Sequence, residues 1–141
     1  MATIQSSTDP ARAIAARDIL PFVGRLLMAV LFLVSGTGKL SAPDATIAFI
    51  ASVGLPFPTL GLLIALAVEL GCATALVLGY RTRIMAGVLA AFCFATAVFF
   101  HMHFGDQNQF IHFFKNVTMA GGFLQIVAFG AGKLSIDARR P

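Results

Sequence analysis

Residues 59–80 read TLGLLIALAVELGCATALVLGY, a run in which Glu69 is the only charged side chain. A helix rises about 1.5 Å per residue and the hydrocarbon core of a bilayer is about 30 Å thick, so about 20 apolar residues cross it. This stretch has that length. Its apolar residues do not alternate as the strands of a membrane barrel do, nor do they keep to one stripe as on the surface helix of a soluble domain. It reads as a transmembrane helix with a carboxylate near its middle. Three further runs, 21–38, 84–100 and 113–132, have the same character.

At 141 residues, 58% hydrophobic and 11% charged, the chain cannot cover four such helices with polar surface, which excludes a soluble domain with a buried helical core. The expected fold class is all-α: a four-transmembrane-helix bundle with a loose N-terminus over 1–17, one membrane domain over 18–137 and a tail over 138–141. A cleaved leader fits the first span poorly, because the run is long for one, carries Arg25 and is followed by Pro43 where cleavage after Ala42 would fall.

The net charge of +4 does not mark a nucleic-acid surface, since the cations follow the loops. Arg12, Arg17 and Arg25 precede or open the first span, Arg81 and Arg83 sit between the second and third, and Lys133, Arg139 and Arg140 follow the fourth. Only Lys39 and Lys115 lie on the other side. The excess of Lys and Arg on cytoplasmic loops then places both termini inside.

Between the first two spans, KLSAPDATIAFIASVGLPFP (39–58) carries the marks of a short interfacial helix. Pro43 suits its first position, Asp44 its positive end and Gly54 its close, while Ile47, Phe49, Ile50 and Val53 supply an apolar face. The GYRTR turn (79–83) is so short that the second and third spans must be antiparallel neighbours. Cys72 and Cys93 each lie within a span and read as buried structural thiols. Small residues such as Gly36, Gly71, Ala75, Ala90, Gly121 and Gly122 recur on the helices, as close helix packing in lipid requires.

Ionisable groups inside a span are costly, and are paired or functional. Arg25 lies about one turn inside the first helix, where it can snorkel to the interface or pair with Glu69; an unpaired Glu69 would handle a proton. These alternatives stay open. Arg25, Phe32, Ser35 and Lys39 share one face of the first helix. SGTGK (35–39) lacks the full phosphate-loop pattern and follows a membrane helix, not a strand, so it does not read as a nucleotide site.

The stretch HMHFGDQNQFIHFFKN (101–116) holds all three histidines. His101 and His103 end the third helix, His112 and Lys115 begin the fourth, and Lys39 lies at similar depth. Four readings are open: a polar loop facing water, a haem held between His101 and His112, a simple metal site, or a pocket for a quinone-like or small anionic ligand. In the last, His and Lys bond a carbonyl or anion while phenylalanine packs a ring. The spacing of His101 and His103 puts their rings on different sides of a helix, which counts against a shared metal.

GRLLMAVLFLVSGTGKL (24–40), VELGCATALVLGYRTR (68–83), FFHMHFGDQNQFIHFFKNVTMAGGFLQI (99–126) and a closing SID (135–137) together resemble the DoxX family of small four-helix bacterial membrane proteins. The positions that match are Arg25, Gly36 and Lys39; Glu69 and Gly79; His101; and Lys115, Asn116 and Gly122. The resemblance implies a multi-pass protein of the bacterial inner membrane. It also implies association with quinone-linked redox or oxidative-stress assemblies, since the family takes its name from a subunit of a quinone-reducing thiosulfate oxidoreductase. It adds Asn116 to the candidate ligand-binding set of Lys39, His101, His112 and Lys115, beside Arg25 and Glu69 as an intramembrane charge pair or proton relay.

Two functions from different classes follow. One is a redox-associated protein that binds quinone near its outer face, with catalytic activity left open. The other is a non-enzymatic subunit that docks or stabilises a membrane or redox protein, or a second copy of itself, through its small-residue faces. Translocation of a proton or solute rests on Glu69 alone, and no inverted repeat accompanies it. The bilayer is the one partner that every reading shares.

Overall fold

The computed structural model describes residues 10–139, with side chains described from residue 16. The elements are α1 (Pro10–Ser41), α2 (Pro43–Ser52), α3 (Pro58–Leu66), a π-helical turn (Ala67–Cys72), α4 (Ala73–Leu78), α5 (Thr82–Phe100), α6 (Gln107–Phe129) and a closing 3-10 turn (Asp137–Arg139). α3, the π turn and α4 run on as one helix, Pro58–Leu78. Among the described residues there is no strand, and the all-α membrane bundle expected from the sequence is the fold found. Residues 10–17, expected to be loose, continue α1, and Ala138 and Arg139 of the expected tail belong to the 3-10 turn. Residues 1–9 and 140–141 lie outside the described residues.

Three helices, Ala16–Ser41, Pro58–Leu78 and Thr82–Phe100, are long and apolar enough to cross a membrane. α6 is the fourth long helix. Its 23 residues open with polar turns that carry Gln107, Asn108, Gln109, His112, Lys115 and Asn116, and its apolar part follows. Leu20, Leu27, Val34, Leu63 and Phe129 stand well exposed on the outside of the bundle, as residues that face lipid tails do.

Local chemistry explains the helix ends. The Asp106 carboxylate caps α6 by accepting from the Asn108 and Gln109 N–H groups at 2.7 and 3.1 Å. α2 starts on Pro43 with Asp44 in its first turn, and Gly54, at φ +77°, turns the chain away after it. α4 ends at Gly79 (φ +69°), and Arg81 (φ +45°) leads into α5 with no acceptor of its own. The Asp137 carboxylate fills that role from the far end of the chain, accepting from the Arg81 and Thr82 N–H groups, each at 2.8 Å. The Ile136 and Asp137 N–H groups donate to the Leu78 and Gly79 carbonyls, so the tail lies as a strap along the α4–α5 turn.

The core is built from small and medium side chains: Ala29, Phe32, Ala73, Leu76, Ala86, Leu89, Ala90, Cys93, Ala120 and Phe123. Alanines let the helix backbones approach, and the Phe32 and Phe123 rings meet edge to face at 5.4 Å between α1 and α6. α5 and α6 form a hairpin packed along its length, and α1 packs on α3, the π turn and α4. The π turn and α4 pack on α5, whereas α3 makes little contact with it. The bundle is therefore closed at the end that carries the termini and parted at the opposite end, where α2 lies across it.

Candidate ligand-binding site

Glu69 sits in the π turn and is buried. A π turn carries an extra residue per turn and re-aims the side chains within it, which is why such turns are common at functional sites. Opposite it, α1 carries Gly36. A Cβ there would come within 2.6 Å of Leu70 Cδ2 and 3.2 Å of Glu69 Cβ, so only glycine allows this approach. Gly36 is thus level with Glu69, and Lys39 lies three residues further along α1, about 4.5 Å at 1.5 Å per residue.

Lys39 Nζ donates to both Glu69 oxygens at 2.9 Å and to Ser35 Oγ at 2.7 Å, and Ser35 Oγ donates to Glu69 Oε1 at 3.3 Å. The pairing of Arg25 with Glu69 that the sequence left open is not formed. Arg25 lies eleven residues from Gly36, about 16 Å along α1. Its guanidinium donates instead to the Leu76 carbonyl at 3.0 Å and to the Leu134 carbonyl, and is buried under the tail. The intramembrane pair is Lys39 with Glu69, and Arg25 is a brace at the other end of the bundle.

A cavity of about 460 Å³ opens beside this pair, between α1, α2, α3, α5 and α6. Its walls are apolar, with Phe32, Phe49, Ile50, Phe92, Phe100 and Met119 prominent, and α2 covers it through Phe49, whose ring stacks on Phe100 at 5.3 Å. Lys39, His101, His112, Lys115 and Asn116 all line it, as do Glu69 and Thr96. The five candidate ligand residues and Glu69 therefore share one space, and Arg25 is outside it. His103 is exposed and does not line the cavity.

The His101 and His112 rings stack at 5.2 Å. His101 Nδ1–H donates to Gln109 Oε1 at 2.7 Å, which fixes the ring by a residue of the first turn of α6. Asn116 Nδ2 donates to the His112 carbonyl at 3.1 Å. Lys115 is exposed, and its ammonium makes no hydrogen bond or ion pair among the described residues. Desolvation first, then the Lys115 ammonium and the neighbouring His101, hold the His112 imidazole below its usual range; it precedes the apolar part of α6 and lies at the interface. With the Lys39 and Glu69 charges cancelling, Lys115 gives the cavity its positive sign. Among the described residues no group of three His, Cys, Asp or Glu side chains is placed to hold a metal ion.

The sequence places Phe49 on the apolar face of the interfacial helix, but does not foresee the roles of Ser35, Thr96 and Phe100. Ser35 was legible as a member of the Lys39 face of α1. The other two needed the packing of α2 and α5, for which no local pattern exists.

No solved structure matches this chain. Inner membrane protein YphA of Escherichia coli (strain K12) is 35% identical over 131 residues, covering 89% of this chain and 93% of the relative. Inner membrane protein YqjF of the same organism is 37% identical over 120 residues, covering 85% and 91%. The DoxX family pattern matches residues 20–102, from the first membrane helix through Lys39 and Glu69 to His101. With more than half of its length matched to that pattern and two relatives aligned almost end to end, the chain belongs to the DoxX family.

Proposed function

We propose that this protein is a redox-associated protein of the bacterial inner membrane that binds a quinone-like ligand in the cavity beside Lys39 and Glu69. One observation carries the reading: a space of about 460 Å³ with aromatic walls is lined by a few hydrogen-bonding groups, and ligand sites commonly measure 300–1,000 Å³ with a small number of polar groups in an apolar wall. Phe32, Phe92 and Phe100 would pack a planar ring. Lys115 and His112 would donate to its carbonyls, with Asn116 and His101 orienting them. Leu31, Ile64 and Phe99 at the rim are each about half exposed on the lipid side, so an apolar tail can stay in the bilayer. A bound quinone supplies two-electron, two-proton chemistry, and the Lys39–Glu69 pair would hold the floor of the site or pass a proton. A small organic anion would use the same Lys115 charge.

The inner membrane is the location in the names of both relatives. Cytoplasmic termini agree with the gathering of Arg17, Arg81, Arg83, Lys133 and Arg139 at one end of the bundle. An alkaline phosphatase reporter fused after residue 139 should stay inactive, and one inserted at Gly105 should be active; the reverse pattern inverts the topology.

Mass spectrometry of lipids co-purified with the full chain tests the ligand, together with titration of a short-tailed benzoquinone. Quinone should be recovered, and Lys115→Ala and His112→Ala should each weaken binding roughly fivefold, the worth of one hydrogen bond of about 1 kcal/mol. No recovered quinone and no saturable binding would overturn the proposal.

A second reading, a subunit that docks a membrane protein, draws support from the outer helix faces. Ala67 and Gly71, four residues apart, are both exposed, and a Cβ built on Gly24, Gly71 or Gly121 would meet nothing within 4 Å. Crosslinking in native membranes separates the two: a stoichiometric protein partner with no bound quinone favours docking.

A further inference from the structure

At the end of the bundle away from the cavity, an open groove of about 530 Å³ runs between the α4–α5 turn, the exit of α6 and the tail. Arg81, Thr82, Arg83 and Ile84 form one bank, and Phe129, Gly130, Ala131 and Gly132 the other. Both arginines are exposed, and neither guanidinium makes a hydrogen bond or ion pair among the described residues; Arg81 lies 6.0 Å from the Tyr80 ring centroid. The Arg83 guanidinium lies beside Gly130 at the end of α6, where a Cβ would sit 3.4 Å from Arg83 Nε and 3.5 Å from Nη2. The Thr82 hydroxyl, on a residue only 1% exposed in the bank of the groove, has no hydrogen-bond partner among the described residues.

The carboxylate in the groove is Asp137, already engaged by the Arg81 and Thr82 N–H groups. Two cations thus outweigh one anion. Beside them stand Phe129, 80% exposed, and Ile84, 57% exposed, on the surface that meets lipid. A guanidinium pair beside a buried hydroxyl with an unused hydrogen-bonding capacity recognises the oxygens of a phosphate, and apolar side chains next to it suit acyl chains.

We propose that this groove is a phosphate-binding site, distinct from the cavity at the other end, formed by Arg81 and Arg83 with Thr82. A phosphate reaches it either as the headgroup of an anionic lipid or free in solution, and the neighbouring Phe129 and Ile84 favour the lipid.

Native mass spectrometry of the full chain, released from nanodiscs of equal phosphatidylglycerol and phosphatidylcholine, tests this. Wild-type protein should retain phosphatidylglycerol in preference to phosphatidylcholine. In Arg81→Gln/Arg83→Gln that preference should fall by roughly thirtyfold, about fivefold for each arginine near the lipid surface. Arg17→Gln, exposed at the same end but outside the groove, should leave it unchanged. Added inorganic phosphate separates the sources: retention of lipid despite an excess assigns the site to the headgroup, and saturable phosphate binding lost in the double variant assigns it to the free ion. Equal retention by wild type and the double variant, with no saturable phosphate binding by either, overturns the proposal, as does an equal loss in Arg17→Gln.

Discussion

Gly36 lets α1 pack closely on the π turn, and Lys39, one turn further along α1, is the cation within reach of the mid-membrane carboxylate. Removing one partner of a fully buried ion pair costs about 3–5 kcal/mol, because the other charge is left without compensation. Lys39 keeps a side chain 25% exposed and can bend toward the interface, which reduces the cost. Glu69→Gln is therefore expected to destabilise by about 1–3 kcal/mol, and Lys39→Met/Glu69→Gln to recover to within about 1 kcal/mol of wild type. Thermal unfolding of the four proteins in micelles measures the cycle; additive single effects would show that the contact is not coupled. His112 gives a pH prediction. Its folded pKa lies below the ordinary 6.5, so near that pH the folded chain binds fewer protons than the unfolded one. Stability should fall as pH drops through 6.5 and level off below the folded pKa. NMR titration should find His112 low, and Lys115→Met should raise it only part of the way, because desolvation is the larger cause.

The α4–α5 turn and the tail strap stand or fall together. A Cβ on Gly79 would lie 2.3 Å from both Arg25 Nη1 and Ser135 Cβ and 2.9 Å from Ser135 Cα, at a φ of +69°. Gly79→Ala then combines left-handed strain of about 1 kcal/mol with displacement of the strap, and is expected to cost more than about 2 kcal/mol. Asp137→Ala removes the cap of α5 and should cost about 1–2 kcal/mol, with Asp137→Asn intermediate because one acceptor oxygen remains. Both costs appear as lowered melting temperatures, and limited proteolysis should cut the tail in Gly79→Ala first; an intact tail there would show that the strap does not depend on the turn. The sequence announces the turn by its length and Gly79, and α2 by Pro43 and Asp44, since those signals are local. It does not announce the cap of α5, because Arg81 stands where a capping residue is expected and the acceptor comes from Asp137, 56 positions away. Nor does it announce the π turn, for which residues 67–72 carry no local signal.

For the whole molecule, length and hydropathy are enough to read a helical membrane bundle, because lipid admits so few alternatives. The candidate site is legible only in part. Helix ends at similar depth bring Lys39, His101, His112 and Lys115 to one end of the bundle, but whether they line a cavity depends on α3 parting from α5, which is a property of the assembled helices. The same parting makes the two ends unequal in strength. The end that bears the termini is tied by Arg25, the strap and the alanine core, whereas α2 is held over the cavity by Ile50 against Gly61 and by the Phe49–Phe100 stack. Local opening should follow that difference. Amide hydrogen exchange is expected to be much faster across α2 than across residues 86–97 of α5, where Ala86, Leu89, Ala90, Cys93 and Ala97 are buried. Phe49→Ala should speed it further in α2 alone. A quinone held at about 100 times its dissociation constant adds about 2.7 kcal/mol to any opening that releases it, so exchange in α2 and the first turns of α6 should slow by about a hundredfold. Residues 79–83 and 132–139 should be unaffected by that ligand. Protection that appeared in the strap, and not in α2, would move the ligand to the opposite end of the bundle.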